Sequence, residues 1–155
     1  MIQPKLAAPH EELCPICDAT MTPVAEERDV SIGRRTARVR DEFLRCCACG
    51  EEIYLPGQME RTQMRAARAI RTREGLLQPD EILTLRERLG LSQAAFEALL
   101  GVGPKTVVRW ERGTVFQNAA TDALLRVIDR FPDVAGFLAE LHGVERPEGA
   151  KRTEA

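Results

Sequence analysis

Cys14-Pro15-Ile16-Cys17 and, twenty-eight residues later, Cys46-Cys47-Ala48-Cys49-Gly50 constrain this chain more than any other stretch of it. A C-x2-C spacing lets two thiolates from one tight turn face the same point, and Gly50 can take the positive φ with which the chain leaves that turn. Four such thiolates complete a tetrahedral shell, which favours zinc and leaves no position for substrate water. The expected ligands are therefore Cys14, Cys17, Cys46 and Cys49, holding one structural Zn2+ per chain. Cys47 and Cys49 offer another way to form the second pair, but Cys46 and Cys49 repeat the first spacing and stand directly before Gly50. Cys47 is read as a spare thiol and His10 as a bystander.

All five cysteines fall in the first third of the sequence, and residues 1–13 carry Pro, His and acids where a signal peptide needs an apolar core. Paired thiols in such a chain are read as metal ligands rather than disulfides. A thiol redox centre is disfavoured too, because redox C-x2-C pairs open a helix in a βαβ unit, whereas these flank strand-like segments. Those segments are residues 21–30 and 36–44, joined at Ser31-Ile32-Gly33 with Val39 and Phe43 among the apolar positions, and a third short strand at 52–55. A sheet this small buries too little to stand alone, so the metal is expected to supply folding free energy on the order of 10 kcal/mol.

After Pro56-Gly57, residues 59–76 lack helix breakers until Gly75 and read as a helix. Arg61, Arg65 and Arg68 share one face of it, either tracking phosphates or facing water. The same two readings apply to Arg34, Arg35, Arg38 and Arg40. A formal charge of -2 and a pI near 5.8 exclude a protein that coats nucleic acid through bulk positive charge, so any DNA contact must use local patches. No run of eighteen apolar residues is present, and a soluble cytoplasmic protein of two small domains is expected.

The second half of the sequence is written as helices. Gln78-Pro79-Asp80-Glu81 is a helix start, and Ile82, Leu85 and Leu89 supply its apolar stripe before Gly90. Ser92 is an N-cap for Gln93–Leu100, whose Ala95, Phe96, Leu99 and Leu100 face inward and which Gly101 closes. Val102-Gly103-Pro104 then turns the chain into a third helix over residues 105–112. There Val107 and Trp110 point to a core, while Lys105 and Arg109 lie on the opposite side. This is helix-turn-helix spacing. Two further helices follow, at residues 118–131 and from Pro132. The last carries Val134, Phe137, Leu138 and Leu141, a stripe that either closes the monomer core or forms a dimer interface.

Leu89-Gly90-Leu91-Ser92-Gln93, followed by Val107-Val108-Arg109-Trp110-Glu111-Arg112-Gly113, closely resembles the XRE or Cro-type repressor family. The resemblance implies that Ser92 and Gln93 approach phosphate and that Lys105, Thr106 and Arg109, with Arg112 at the helix end, face the DNA. The two knuckles, L-S-Q, R-W-E-x-G and Leu124 to Pro132 together resemble the MqsA family of antitoxins, also called YgiT-type. Lys105 stands where that family's best-known pattern has Asn, and Trp110 where it has Tyr.

The resemblance implies a homodimer that represses its own operon on double-stranded operator DNA and neutralises a ribonuclease-like toxin bound through the N-terminal domain. The alternative is a stand-alone zinc-containing transcriptional regulator. An enzyme is not expected, since the two histidines, His10 and His142, both sit near the termini. The expected fold is α+β: a small zinc-bound β-rich domain at 1–57, a helical linker at 58–77, and an all-α five-helix helix-turn-helix domain at 78–155.

Overall fold

The computed structural model describes residues 12–145, so His10 lies outside the described residues. The chain divides into two compact units, Met1–Ala66 and Ala67–Ala155.

The first unit is built on a hairpin. Strand β1, Met21–Ile32, pairs antiparallel with β2, Arg35–Cys46, in a register that runs from Met21↔Cys46 to Ile32↔Arg35. Both strands run two residues further toward the turn or the knuckle than the sequence alone indicates. The reason is the turn: Gly33 at φ +60 lets Gly33-Arg34 close the hairpin alone, so Ser31 and Ile32 stay in the ladder. A short β3, Glu52–Ile53, adds to the far side of β2, and the sheet order is β1-β2-β3.

Period-two alternation gives β2 a buried face of Ala37, Val39, Asp41 and Phe43 and an exposed face of Thr36, Arg38 and Arg40. Phe43 is covered by guanidinium groups rather than by apolar neighbours alone, with Arg28 4.0 Å and Arg45 5.2 Å from its ring centre. Glu26 and Glu52 hold both arginines in place. Those hydrogen bonds pull the Glu52 carboxyl down to about 2, Arg28 contributing most and then Arg45. Asp41, buried beneath, accepts from the Tyr54 hydroxyl at 2.7 Å and the Thr62 hydroxyl at 2.8 Å.

Helix α1, Gln58–Glu74, ends at Gly75 in the left-handed region, two residues earlier than the sequence expectation. The boundary between the units falls inside this helix, at Ala66 and Ala67. On the first side, Thr62 binds Asp41, and Arg65 binds the Arg40 carbonyl and Glu42. On the second side Arg68 pairs with Asp80. Arg71 is fully buried, donating to the Val115 carbonyl at 2.9 Å with its guanidinium over the Phe116 ring.

The second unit also contains five helices, as the periodicity predicts: α2 Pro79–Arg88, α3 Gln93–Leu100, α4 Thr106–Glu111, α5 Ala119–Arg130 and α6 Pro132–His142. Ser92 caps α3 by accepting from the Ala95 amide, and Asn118 caps α5 by accepting from Thr121. Their apolar faces close on one core that includes Ile82, Leu85, Phe96, Leu99, Val107, Trp110, Leu125 and Ile128. Buried Asp122 adds a polar clamp: it accepts from the Leu77 amide and from Gln117 and pairs with Arg126, which donates to the Gly75 carbonyl. The architecture is α+β, a three-stranded antiparallel sheet and six helices among the described residues. None of those helices is long and apolar enough to cross a membrane.

Candidate functional site

Two sites emerge, one in each unit. In the first, the hairpin register brings the knuckles together, because Met21 pairs with Cys46 and Leu13 bridges to Thr20. The Cys14, Cys17, Cys46 and Cys49 sulfurs all lie within 4.8 Å of one another. Two of those separations, Cys14 to Cys49 and Cys17 to Cys46, are 3.5 Å. Four sulfurs at about 2.3 Å from a shared tetrahedral centre would be roughly 3.8 Å apart, so the donor set fits a metal ion of that class. Cys47 stays outside the cluster and is exposed.

The two knuckles repeat each other's backbone. In each, the first cysteine's carbonyl accepts from the amide four residues on, Asp18 for Cys14 and Gly50 for Cys46. Both of those residues are left-handed, Gly50 at φ 78 and Asp18 at φ 57. Amides also point at the sulfurs, Ile16 at Cys14, and Ala48 and Cys49 at Cys46. The Cys49 and Ala48 amides bring the Cys46 thiol down to about 6. Cys49 receives a hydrogen bond from the Glu51 backbone that favours its thiolate, yet crowding by Cys14 and Cys17 pushes it up to about 12. Four thiolates this close repel one another without a cation among them, which is the electrostatic condition a divalent metal satisfies. Cys14 and Cys46 are also core residues, packed with Met21 and Leu44.

The second site is the face of α3 and α4. Val107 and Trp110 are buried, and Lys105 and Arg109 are exposed, as the spacing predicts; Arg112 is exposed too. One element differs. Lys105 is not the first residue of the helix but its N-cap, at φ 63, so Thr106 is the first helical position and Arg112 the C-cap. A lysine cannot accept the helix's free amides, and a carboxylate from the neighbouring helix does so instead: buried Glu97 accepts from the Val107 amide at 3.0 Å.

Ser92 and Gln93 stand at the start of α3, Ser92 exposed and Gln93 half-buried. The Gln93 side-chain amide donates to Glu111 at 2.6 Å, and the same carboxylate pairs with Arg86 at 2.5 Å. The start of α3 and the end of α4 are thereby brought into contact. Glu97 and Glu111 are the residues that sequence reasoning missed. Glu97 left one trace, as the one charged residue among the eight of α3, Gln93–Leu100.

The α6 stripe divides. Val134 and Leu138 are half-buried against the core, whereas Phe137 and Leu141 are both 62% exposed.

A family model described as the antitoxin component of a bacterial toxin-antitoxin system, MqsA, matches residues 12–141. The chain belongs to the MqsA antitoxin family. Both the cysteine cluster and the α3–α4 face lie inside the matched span. This MqsA-family chain is 29% identical to antitoxin MqsA of Escherichia coli strain K12 over 126 residues, 78% of this chain and 95% of that protein. It is 34% identical to antitoxin HigA-2 of Vibrio cholerae serotype O1 over 65 residues, 42% of this chain. That second match spans 62% of the length of HigA-2.

Proposed function

We propose that this chain is the antitoxin of a type II toxin-antitoxin system. It holds one structural zinc ion through Cys14, Cys17, Cys46 and Cys49, binds operator DNA as a homodimer, represses its own operon and neutralises a ribonuclease-like toxin through its zinc-bearing domain. The observation that carries this reading is the α3–α4 pair, where buried Val107 and Trp110 leave Lys105, Arg109 and Arg112 exposed beside Gln93, in a chain of the MqsA family. Zinc, when bound, supplies cross-linking rather than catalysis, since four protein thiolates complete its shell. Exposed Phe137 and Leu141 support α6 as the dimer surface.

Roles within the DNA site follow from side-chain chemistry. Arg109 carries a planar fork that can donate two hydrogen bonds to guanine O6 and N7, so it reads sequence. Gln93, at the start of α3, positions the domain on phosphate. Lys105 and Thr106 stand at the end of α4 that enters the groove first.

The test is a titration against the chain's own promoter duplex and a scrambled one at fixed salt. Arg109→Ala should cost roughly 1–3 kcal/mol on the promoter and much less on the scrambled duplex. Equal losses on both would assign Arg109 to phosphate. Co-purification with the product of the adjoining gene tests the toxin; its absence would leave a stand-alone zinc-containing regulator.

A further inference from the structure

We infer that Glu111 is a positioning residue for the DNA contact made by Gln93: its buried carboxylate orients the Gln93 amide and ties it to α4. The inference rests on the proposed DNA-binding role. Gln93 is half-buried, and its amide has a donor end and an acceptor end that look alike in shape. An ionised carboxylate can only accept, so the 2.6 Å contact from Nε2 to Glu111 Oε2 selects one of the two amide orientations. The amide's second N-H then remains available to donate elsewhere, to a phosphate oxygen in the proposed complex.

Glu111 is itself fixed. Arg86 Nε donates to its other oxygen at 2.5 Å, and Arg86 Nη1 donates to the Leu91 carbonyl at 2.8 Å. The Arg86 and Glu111 side chains are 13% and 7% exposed, so this ion pair is shielded from water and salt far more than a surface pair. The chain of contacts runs from the Leu91 carbonyl through Arg86 and Glu111 to Gln93. It joins the turn before α3, the first residue of α3 and the last of α4. A phosphate contact at Gln93 and a base contact one helix away are therefore set in a fixed relation by one carboxylate that touches no DNA.

The experiment is a double-mutant cycle on the full-length, metal-loaded protein. Gln93→Ala, Glu111→Gln and the double variant are titrated against the promoter duplex and its scrambled counterpart, with the melting temperature of each recorded. Each single change should weaken binding to both duplexes by about 3- to 10-fold, the size of one hydrogen bond. The double variant should be no weaker than the worse single one, because Glu111 acts through Gln93. Asp122→Asn, which removes charge from a clamp elsewhere in the same unit, should lower stability and add independently to Gln93→Ala. Additive losses for Glu111→Gln and Gln93→Ala overturn the inference.

Should Glu111→Gln fail to fold, the wild type decides. Gln93 Nε2 protons that exchange with solvent much more slowly than those of exposed Gln63 support the lock, and exchange as fast as that of Gln63 overturns it. Wild-type protein that binds neither duplex overturns the DNA-binding proposal and this inference together. Wild-type binding with additive losses overturns only the role of Glu111.

Discussion

The two units solve the same problem with different chemistry. In the sheet unit the buried cluster around the knuckles is Cys14, Met21, Leu44 and Cys46, so half of its members are candidate metal ligands, and Phe43 nearby is roofed by arginines. In the helical unit a continuous apolar core runs from Ile82 to Ala139, and buried charges such as Asp122 and Arg71 are hydrogen-bonded to backbone groups. A small sheet cannot bury enough apolar surface to offset chain entropy, and a cross-link must make up the difference. A five-helix bundle can, and it uses polar clamps to fix turns. Metal chemistry should therefore govern one unit and leave the other untouched.

Removing the metal is the strongest way to break that contrast. Chelation, or Cys14→Ser, should unfold the sheet unit, a loss on the order of 10 kcal/mol, while the far-ultraviolet helical signal persists and Cys47→Ser keeps the metal. Collapse of the helical signal on chelation would show that the two units are not separately stabilised. The converse test is Phe96→Ala, which should cost the helical unit about 3–5 kcal/mol by denaturant titration while metal content stays at one ion per chain.

A smaller effect is expected at Asp122. Burial raises its carboxyl, but the Leu77 amide, Arg126 and Gln117 together outweigh this and hold it below its ordinary range. Its contribution is thus complete above the unfolded carboxyl's pKa of about 3.9 and disappears as pH falls through the lower folded value. Asp122→Ala should destabilise the helical unit by about 1–3 kcal/mol at neutral pH, with the gap to wild type closing in acid. The smallest effect is at Asp18, whose left-handed backbone copies that of Gly50. Asp18→Gly should be tolerated, whereas Asp18→Val should cost about 1–2 kcal/mol and loosen metal binding, measured by competition with a chromogenic chelator.

What the sequence revealed was what is encoded locally. The C-x2-C pairs, the Ser92 cap and the Ile82, Leu85 and Leu89 stripe each depend on residues close together in the sequence, and the structure has them where spacing puts them. What stayed hidden was buried polar chemistry. Arg71 binds a carbonyl 44 residues away and Asp122 an amide 45 residues away. In the sequence such residues are indistinguishable from charges on a solvated face, and only packing reveals them. Arg71, within the segment 58–77 read from the sequence as a helical linker, is one such residue: it is fully buried. The α6 stripe shows the opposite limit: periodicity groups Val134, Phe137, Leu138 and Leu141, but only Phe137 and Leu141 stand out from the surface.

The register of the hairpin also sets an order of events. As the chain is synthesised, Cys14 and Cys17 emerge well before Cys46 and Cys49, at roughly 5–20 residues per second, so the first pair waits seconds for the second. Once both are out, hairpin closure takes only about 1–10 μs, and it is the Met21↔Cys46 pairing that delivers the second knuckle to the first. A slip of one residue would turn Cys46 to the other face of the sheet. At the proposed zinc site, strand pairing would thus act as a proofreading step: only a correctly zipped hairpin presents four sulfurs, and a misregistered one would offer an ion two.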